Sequence, residues 1–345
     1  MPLTLDPGVA EMSETPGWSS PDQPQNQPPQ NQPPSYGQQP QYGYNPPPTG
    51  PSIQPGVIPL RPLAVGEIID GAIKTMRAYP KLIIGAAAVV AAVTQILGLL
   101  VSLPFLDDIT SLATIDPNST TLTQEELSNQ FTGAVTGFLS GTLLTVLLSL
   151  LGTVFLSGFI TVVVGHAVLG KPVSFAQAWE EFKPRLLPLL GATLLSGLII
   201  TVGLLLCIVP GIWLWVMFAL VTPALVLERC GVGAAFGRSR KLVDGAWWRT
   251  FGIVLLTVVI SAVIGWIVGL PFEAIGLAVS GGFGDDPTAV LNAGYLVLAT
   301  IGAIIASTIT LPFSSAVTVL LYVDRRMRSE GMDIELQRAA GHGGL

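Results

Sequence analysis

The chain has 345 residues, of which 50% are hydrophobic and 11% charged, against roughly a quarter charged in an ordinary soluble domain. Its formal net charge of -6 argues against nucleic acid as a partner. Two cysteines and two histidines are too few soft ligands for the usual four-ligand structural zinc, so no metal or cofactor is expected.

Residues 1–58 form a separate region. The first 60 positions hold 16 of the 28 prolines and no Lys or Arg. The stretch "QPQNQPPQNQPPSYGQQPQYGYNPPP" has too little apolar surface to offset its ordering entropy, and reads as a disordered tail. No basic segment followed by an apolar stretch marks a cleaved signal.

Beyond it lie five runs without Asp, Glu, Lys or Arg: 82–106, 127–170, 186–227, 250–272 and 287–323. Each is long enough to cross a bilayer, which takes about 20 apolar residues. All Lys and Arg fall before the first run, after the second, after the third, or after the fifth. The segments between the first two and the last two runs carry Asp and Glu alone. The positive-inside rule makes the basic segments cytoplasmic. Runs that join a basic segment to an acidic one cross an odd number of times, and the third run, basic at both ends, crosses twice. Six spans follow, in the cytoplasmic (inner) membrane with both termini cytoplasmic. The membrane domain covers 59–328, and 329–345 is a cytoplasmic C-terminal tail.

Pro210-Gly211 is expected to make the tight outer turn inside the third run. Gly133, Gly137 and Gly141 form a small-residue stripe suited to close helix approach. Pro312 is expected to kink the last span.

Residues 65–105 align without a gap over 232–272, with nine of 41 positions identical. Gly85, Gly191 and Gly252 each precede a proline (Pro104, Pro210, Pro271) by 19 residues. The expected fold is therefore an all-α integral membrane protein: six transmembrane helices as three parallel helical-hairpin repeats, each preceded by a cytoplasmic interfacial helix.

Chemistry-bearing residues are sparse. No ionisable group lies near a span centre, where ion-coupled pumps keep theirs. Glu228 and Asp324 are expected to pair locally with Arg229 and Arg325, and His166 to be a satisfied imidazole near a span end. No nucleophile, acid–base pair or phosphate loop supports an enzyme. The candidate site is a basic aromatic rim, Arg238, Arg240, Lys241, Trp247, Trp248 and Arg249, suited to the phosphates of anionic membrane lipids.

Four phrases carry a resemblance: "IPLRPLAVGEIIDGAIKTMRAYPK", "PGIWLWVMFALVTPALVLE", "GAAFGRSRKLVDGAWWRTFG" and "LLYVDRRMRSEGMDIELQ". Together they resemble the membrane-domain family named for glycerophosphoryl diester phosphodiesterases, found as stand-alone actinobacterial membrane proteins. The resemblance implies a membrane domain over about residues 58–338 and brings no catalytic residue. Two function classes follow. One is a non-enzymatic cell-envelope scaffold or lipid-associated partner, acting with another membrane protein or as a homo-oligomer. The other is a transporter or permease for a lipid-like or small apolar solute. A polar cavity shared by several spans favours the second, and tightly packed Gly and Ala faces favour the first.

Overall fold

The computed structural model describes residues 56–59, 61–106, 123–282 and 289–330. Among them all regular structure is helical. The acidic connections (107–122 and 283–288), the tail over 1–55 and residues 331–345 lie outside the described residues.

Local sequence sets the helix ends. Helix α1 is Val65–Ala78, and the Glu67 carboxylate accepts the Ala64 N–H at 2.7 Å, which satisfies one of the donors that a helix start leaves open. Pro80 disfavours helical backbone at Tyr79 and opens α2, Pro80–Ser102, at the position where its missing N–H costs nothing. Thr123 and Glu126 form a reciprocal capping box that starts α3, Gln124–Val168. At its other end Gly170 has φ 67°, and Lys171 and Gly170 donate to the carbonyls of His166 and Ala167, a Schellman closure that glycine permits. Ser174 and Gln177 cap α4, Phe175–Phe182.

Then come α5, Leu186–Leu206, α6, Ile208–Met217, and α7, Val221–Leu227. Helix α8, Val232–Val243, precedes α9, Trp247–Ser280, and α10 runs from Ala293 to Glu330.

Six segments are long and apolar enough to cross a membrane: α2, α3, α4 with α5, α6 with α7, α9, and α10. The chain is a multi-pass helical membrane protein. Short helices α1 and α8 stand before the first and fifth of these spans, and α4 forms the start of the third. The three prolines at matching sequence spacing take different settings. Pro104 lies in a 3-10 turn, Pro210 in the first turn of α6, and Pro271 inside α9, which continues past Glu273 to Ser280.

The expected turn at Pro210-Gly211 is displaced. The chain reverses at Cys207, whose backbone is extended (φ -169°, ψ 145°), while Pro210 sits where a first-turn proline is tolerated. Gly211 is in place for close approach, since a Cβ there would run into Leu204. In the glycine stripe, Gly137 and Gly141 are buried but Gly133 is not.

The buried core lies toward the end of the bundle where the basic residues gather, here the basic end. Helix α10 packs against α9, α2, α3 and α1 and contributes Phe313, Leu320, Leu321 and Tyr322 to it. Ile58 and Leu63 are also buried there, so the packed chain begins no later than Ile58. Elsewhere the helices present apolar side chains outward; Leu205 and Leu206 are 82% and 80% exposed. In water each such side chain would forgo about 1.5–3 kcal/mol of burial, which a lipid surround restores.

Candidate functional site

The fourth span is discontinuous. Helix α6 stops at Met217, residues 218–220 turn, and α7 begins at Val221. Pro223 explains part of the break: it has no N–H, so the carbonyl of Ala219, four residues earlier, receives no donor from its own helix. The carbonyl of Met217 is rescued from α8, where the buried Ser239 hydroxyl donates to it at 2.7 Å. Broken backbone at membrane depth is tolerated where it is buried in protein or lines a polar cavity.

Such a cavity lies at this break, with a volume of about 210 Å³. Ala219, Thr222 and Pro223 form one wall; α3 supplies Thr153, Ser157 and Thr161, α5 Thr193, and α10 Ser314, Ser315 and Thr318. Four spans thus turn hydroxyls to one space. Many of these hydroxyl protons are already engaged. Thr161 donates to the Ser157 carbonyl at 2.6 Å, Thr193 to Leu189 at 2.9 Å and Thr318 to Ser314 at 2.8 Å. A hydroxyl that donates to its own helix still offers its lone pairs. The engaged hydroxyls therefore offer acceptors, set among the apolar Val154, Pro223 and Val319, and the lining contains no ionisable side chain.

The charged groups gather in two clusters at the basic end. In the first, Asp324 is fully buried and accepts from the Leu63 N–H at 2.8 Å, from Arg249 at 3.1 Å and from Arg328 at 2.9 Å. In the second, Glu228 accepts from Arg238 at 2.6 Å and from the Tyr322 hydroxyl. Glu330 pairs with Arg238 and, at 2.9 Å, with Arg326. Burial works against the Arg238 charge, but its hydrogen bonds to Glu228 and Glu330 outweigh this and hold its pKa above the ordinary arginine value.

The expected local pairs are corrected by this geometry. Glu228 is joined to Arg238 and not to Arg229, which has φ 53° and pairs with Glu181 at 3.7 Å. Asp324 is joined to Arg249 and Arg328, while the buried Arg325 donates to the Leu242 carbonyl at 2.9 Å. Adjacent residues on a helix point to different faces, whereas i,i+4 neighbours share one. His166 is partnered as expected, by the Val162 carbonyl at 3.1 Å and Glu181 at 3.4 Å.

The six rim residues are divided among these settings. Arg238 belongs to the Glu228–Glu330 cluster and Arg249 to that of Asp324. Arg240 and Lys241 are exposed. Trp247 stacks on Phe251 with ring centroids 5.1 Å apart, and Trp248 is 78% exposed. Gly245, Ala246, Trp247, Trp248 and Arg249 line a surface groove. The hydroxyl cavity was not singled out from sequence. Its signal, Ser or Thr recurring at three- and four-residue spacing in α3 and α10, is diluted by the many Ser and Thr of the same runs.

No solved structure matches the chain. A family model described as an uncharacterised protein family, UPF0259, matches residues 65–278. This overturns the resemblance to the membrane-domain family named for glycerophosphoryl diester phosphodiesterases. The phrases that carried it are amphipathic basic lead-ins, a Pro-Gly within an apolar run and an Arg-rich span end, features that membrane topology imposes on unrelated helical proteins. With more than half of its length matched, the chain belongs to the uncharacterised protein family UPF0259.

Proposed function

We propose that the protein is a non-enzymatic permease that binds a small uncharged solute rich in N–H or O–H donors and passes it across the membrane. One observation carries this reading: a hydroxyl-lined cavity shared by four spans at the point where the fourth span is broken. Discontinuous spans beside a cavity are a recurrent device for placing polar groups inside a membrane without charge. The solute class follows from the lining. Hydroxyls that have spent their protons on helix carbonyls accept hydrogen bonds, so the solute supplies the donors. A cavity with no ionisable side chain gives a charged solute no counter-ion.

The scaffold alternative has support of its own in the small-residue faces. Ala87 and Ala91 are buried on α2, and a Cβ on Gly152 or Gly158 of α3 would run into Thr94 or Phe182. Such seams serve any helical bundle. A polar cavity at a broken helix serves binding and adds nothing to a scaffold, so the permease reading is preferred. By the positive-inside rule the basic end, which lies nearer the cavity, is cytoplasmic. Reporter fusions at Asp116 and Asp286 should then report from the opposite side.

The test is permeation. Purified full chain in liposomes should accelerate swelling driven by urea or ethylene glycol, followed by stopped-flow light scattering. Replacing Thr161 and Thr193 together by Val should return the rate toward that of protein-free liposomes. Swelling no faster than in protein-free liposomes for both probes sinks the permease reading.

A further inference from the structure

The two charged clusters differ in balance. Around Glu228, two carboxylates meet two guanidiniums, those of Arg238 and Arg326. Around Asp324 the account does not close. Arg249 and Arg328 both bond this one carboxylate, and Arg325 lies within electrostatic reach of all three groups. Among the described residues no other carboxylate is in ion-pair distance of any of these arginines. Two backbone carbonyls relieve part of the excess. Leu63 accepts from Arg249 at 2.7 Å and from Arg328 at 2.8 Å, and Leu242 accepts from Arg325. Carbonyl dipoles satisfy hydrogen bonds but carry no net charge, so three cations still face one anion.

The excess is not open to bulk water on every side. Arg325 is 8% exposed, and the side chains of Arg249 and Arg328 are about one-third exposed. The Arg249 Nε is buried and has no hydrogen-bond partner. Arg249 also forms one edge of the groove that starts at Gly245, and that groove has a volume of about 520 Å³. Gly245, at φ 75° with open space around its Cα, keeps the groove free of side-chain bulk. The exposed Trp248 ring lines it as well, and indoles settle at headgroup depth in a bilayer.

We propose that this groove seats the phosphate of an anionic membrane lipid, with Arg249 as its direct contact, Trp248 against the adjoining glycerol or acyl region, and Arg325 and Arg328 supplying the field. The phosphodiester provides the counter-charge that Asp324 alone does not. A membrane lipid is favoured over a free phosphate because the groove is walled by two indoles at the start of α9, a helix long and apolar enough to cross a membrane. This assignment is independent of the hydroxyl cavity, whose lining residues it does not share.

The experiment uses the full chain, delipidated in mild detergent. Its unfolding temperature is read after adding phosphatidylglycerol, phosphatidylcholine or inorganic phosphate, and bound lipid is counted by native mass spectrometry. Phosphatidylglycerol should raise the unfolding temperature and remain bound, while phosphatidylcholine and inorganic phosphate should do neither. Arg249→Lys keeps a cation beside Asp324 and removes the forked donor set, and it should lose most of the phosphatidylglycerol shift. Trp248→Ala removes a ring that is 78% exposed and meets only Trp247 and Phe251, edge-on, so it keeps the proposal testable if the Arg249 variant fails to fold; it should lower lipid retention. Lys241→Gln, outside the groove, should behave as the parent. Equal loss in Lys241→Gln and Arg249→Lys means diffuse attraction of basic residues to an anionic surface, and overturns the site. A full shift with inorganic phosphate alone overturns the lipid as its occupant.

Discussion

The hydroxyl of Ser239 donates to the carbonyl oxygen of Met217 across 2.7 Å, joining α8 to the last helical residue before the fourth span breaks. A helix outside the spans thus supplies what the interrupted span lacks, and ties the basic end to the wall of the cavity.

Ser239→Ala should leave that buried carbonyl without a partner, at a cost of about 1–3 kcal/mol. Thermal unfolding in detergent should show a lowered midpoint. An unchanged midpoint would mean that packing alone holds the break.

Pro223→Ala should act in the opposite direction on stability. It restores an N–H within reach of the Ala219 carbonyl and lets α7 extend backward, for a gain of about 1 kcal/mol. Because a continuous helix closes the polar wall, urea permeation should fall while the unfolding midpoint rises. A rise in both would separate the break from the proposed path.

The number of membrane-length helices was legible in the sequence, because a bilayer imposes length and polarity rules that act on single segments. The contacts were not. Glu228 and Asp324 stand next to Arg229 and Arg325 in the chain, yet their partners are 10, 75 and 4 residues away, a choice made by helix phase and tertiary packing. The break at residues 218–220 was hidden for a similar reason. Its sequence is as apolar as the helices on either side, and only Pro223 hints at it. The displaced turn at Cys207 shows the same ambiguity, since proline fits the first turn of a helix as well as it fits a loop.

Asp324→Asn should be the most damaging single change at the basic end. It removes the negative charge shared by Arg249 and Arg328 from a fully buried position. Of the cations left behind only Arg325 is buried, Arg249 and Arg328 being about one-third exposed and partly screened by solvent, so the cost stays below the roughly 3–5 kcal/mol of a fully buried broken pair, and the folded yield on size-exclusion chromatography should drop. Arg61→Gln, whose ion pair with Glu67 is half exposed, should cost under about 1 kcal/mol.

Cys230 gives a pH readout. Burial, and then the Glu228 charge, push its thiol pKa above the ordinary value. The thiolate is the reactive form, so alkylation of Cys230 by iodoacetamide in a Cys207→Ala background should be slow at neutral pH. It should keep rising as pH passes the ordinary thiol range. Glu228→Gln removes the second cause and should move the profile to lower pH. A plateau already reached at neutral pH contradicts this description of the Cys230 surroundings.

The central claim, that four spans line a hydroxyl-bearing solute cavity at the broken helix, is tested most directly by a cysteine at its wall. In a chain with Cys207 and Cys230 both replaced by Ala, Thr193→Cys should react with methyl methanethiosulfonate, a small uncharged reagent, at a rate close to that of the exposed Lys241→Cys. Urea or ethylene glycol should slow that reaction. Leu198→Cys, on the same helix but 63% exposed among outward-facing apolar residues, should stay inert in the bilayer. If Thr193→Cys is as inert as Leu198→Cys, the cavity is not a polar compartment and the permease account fails.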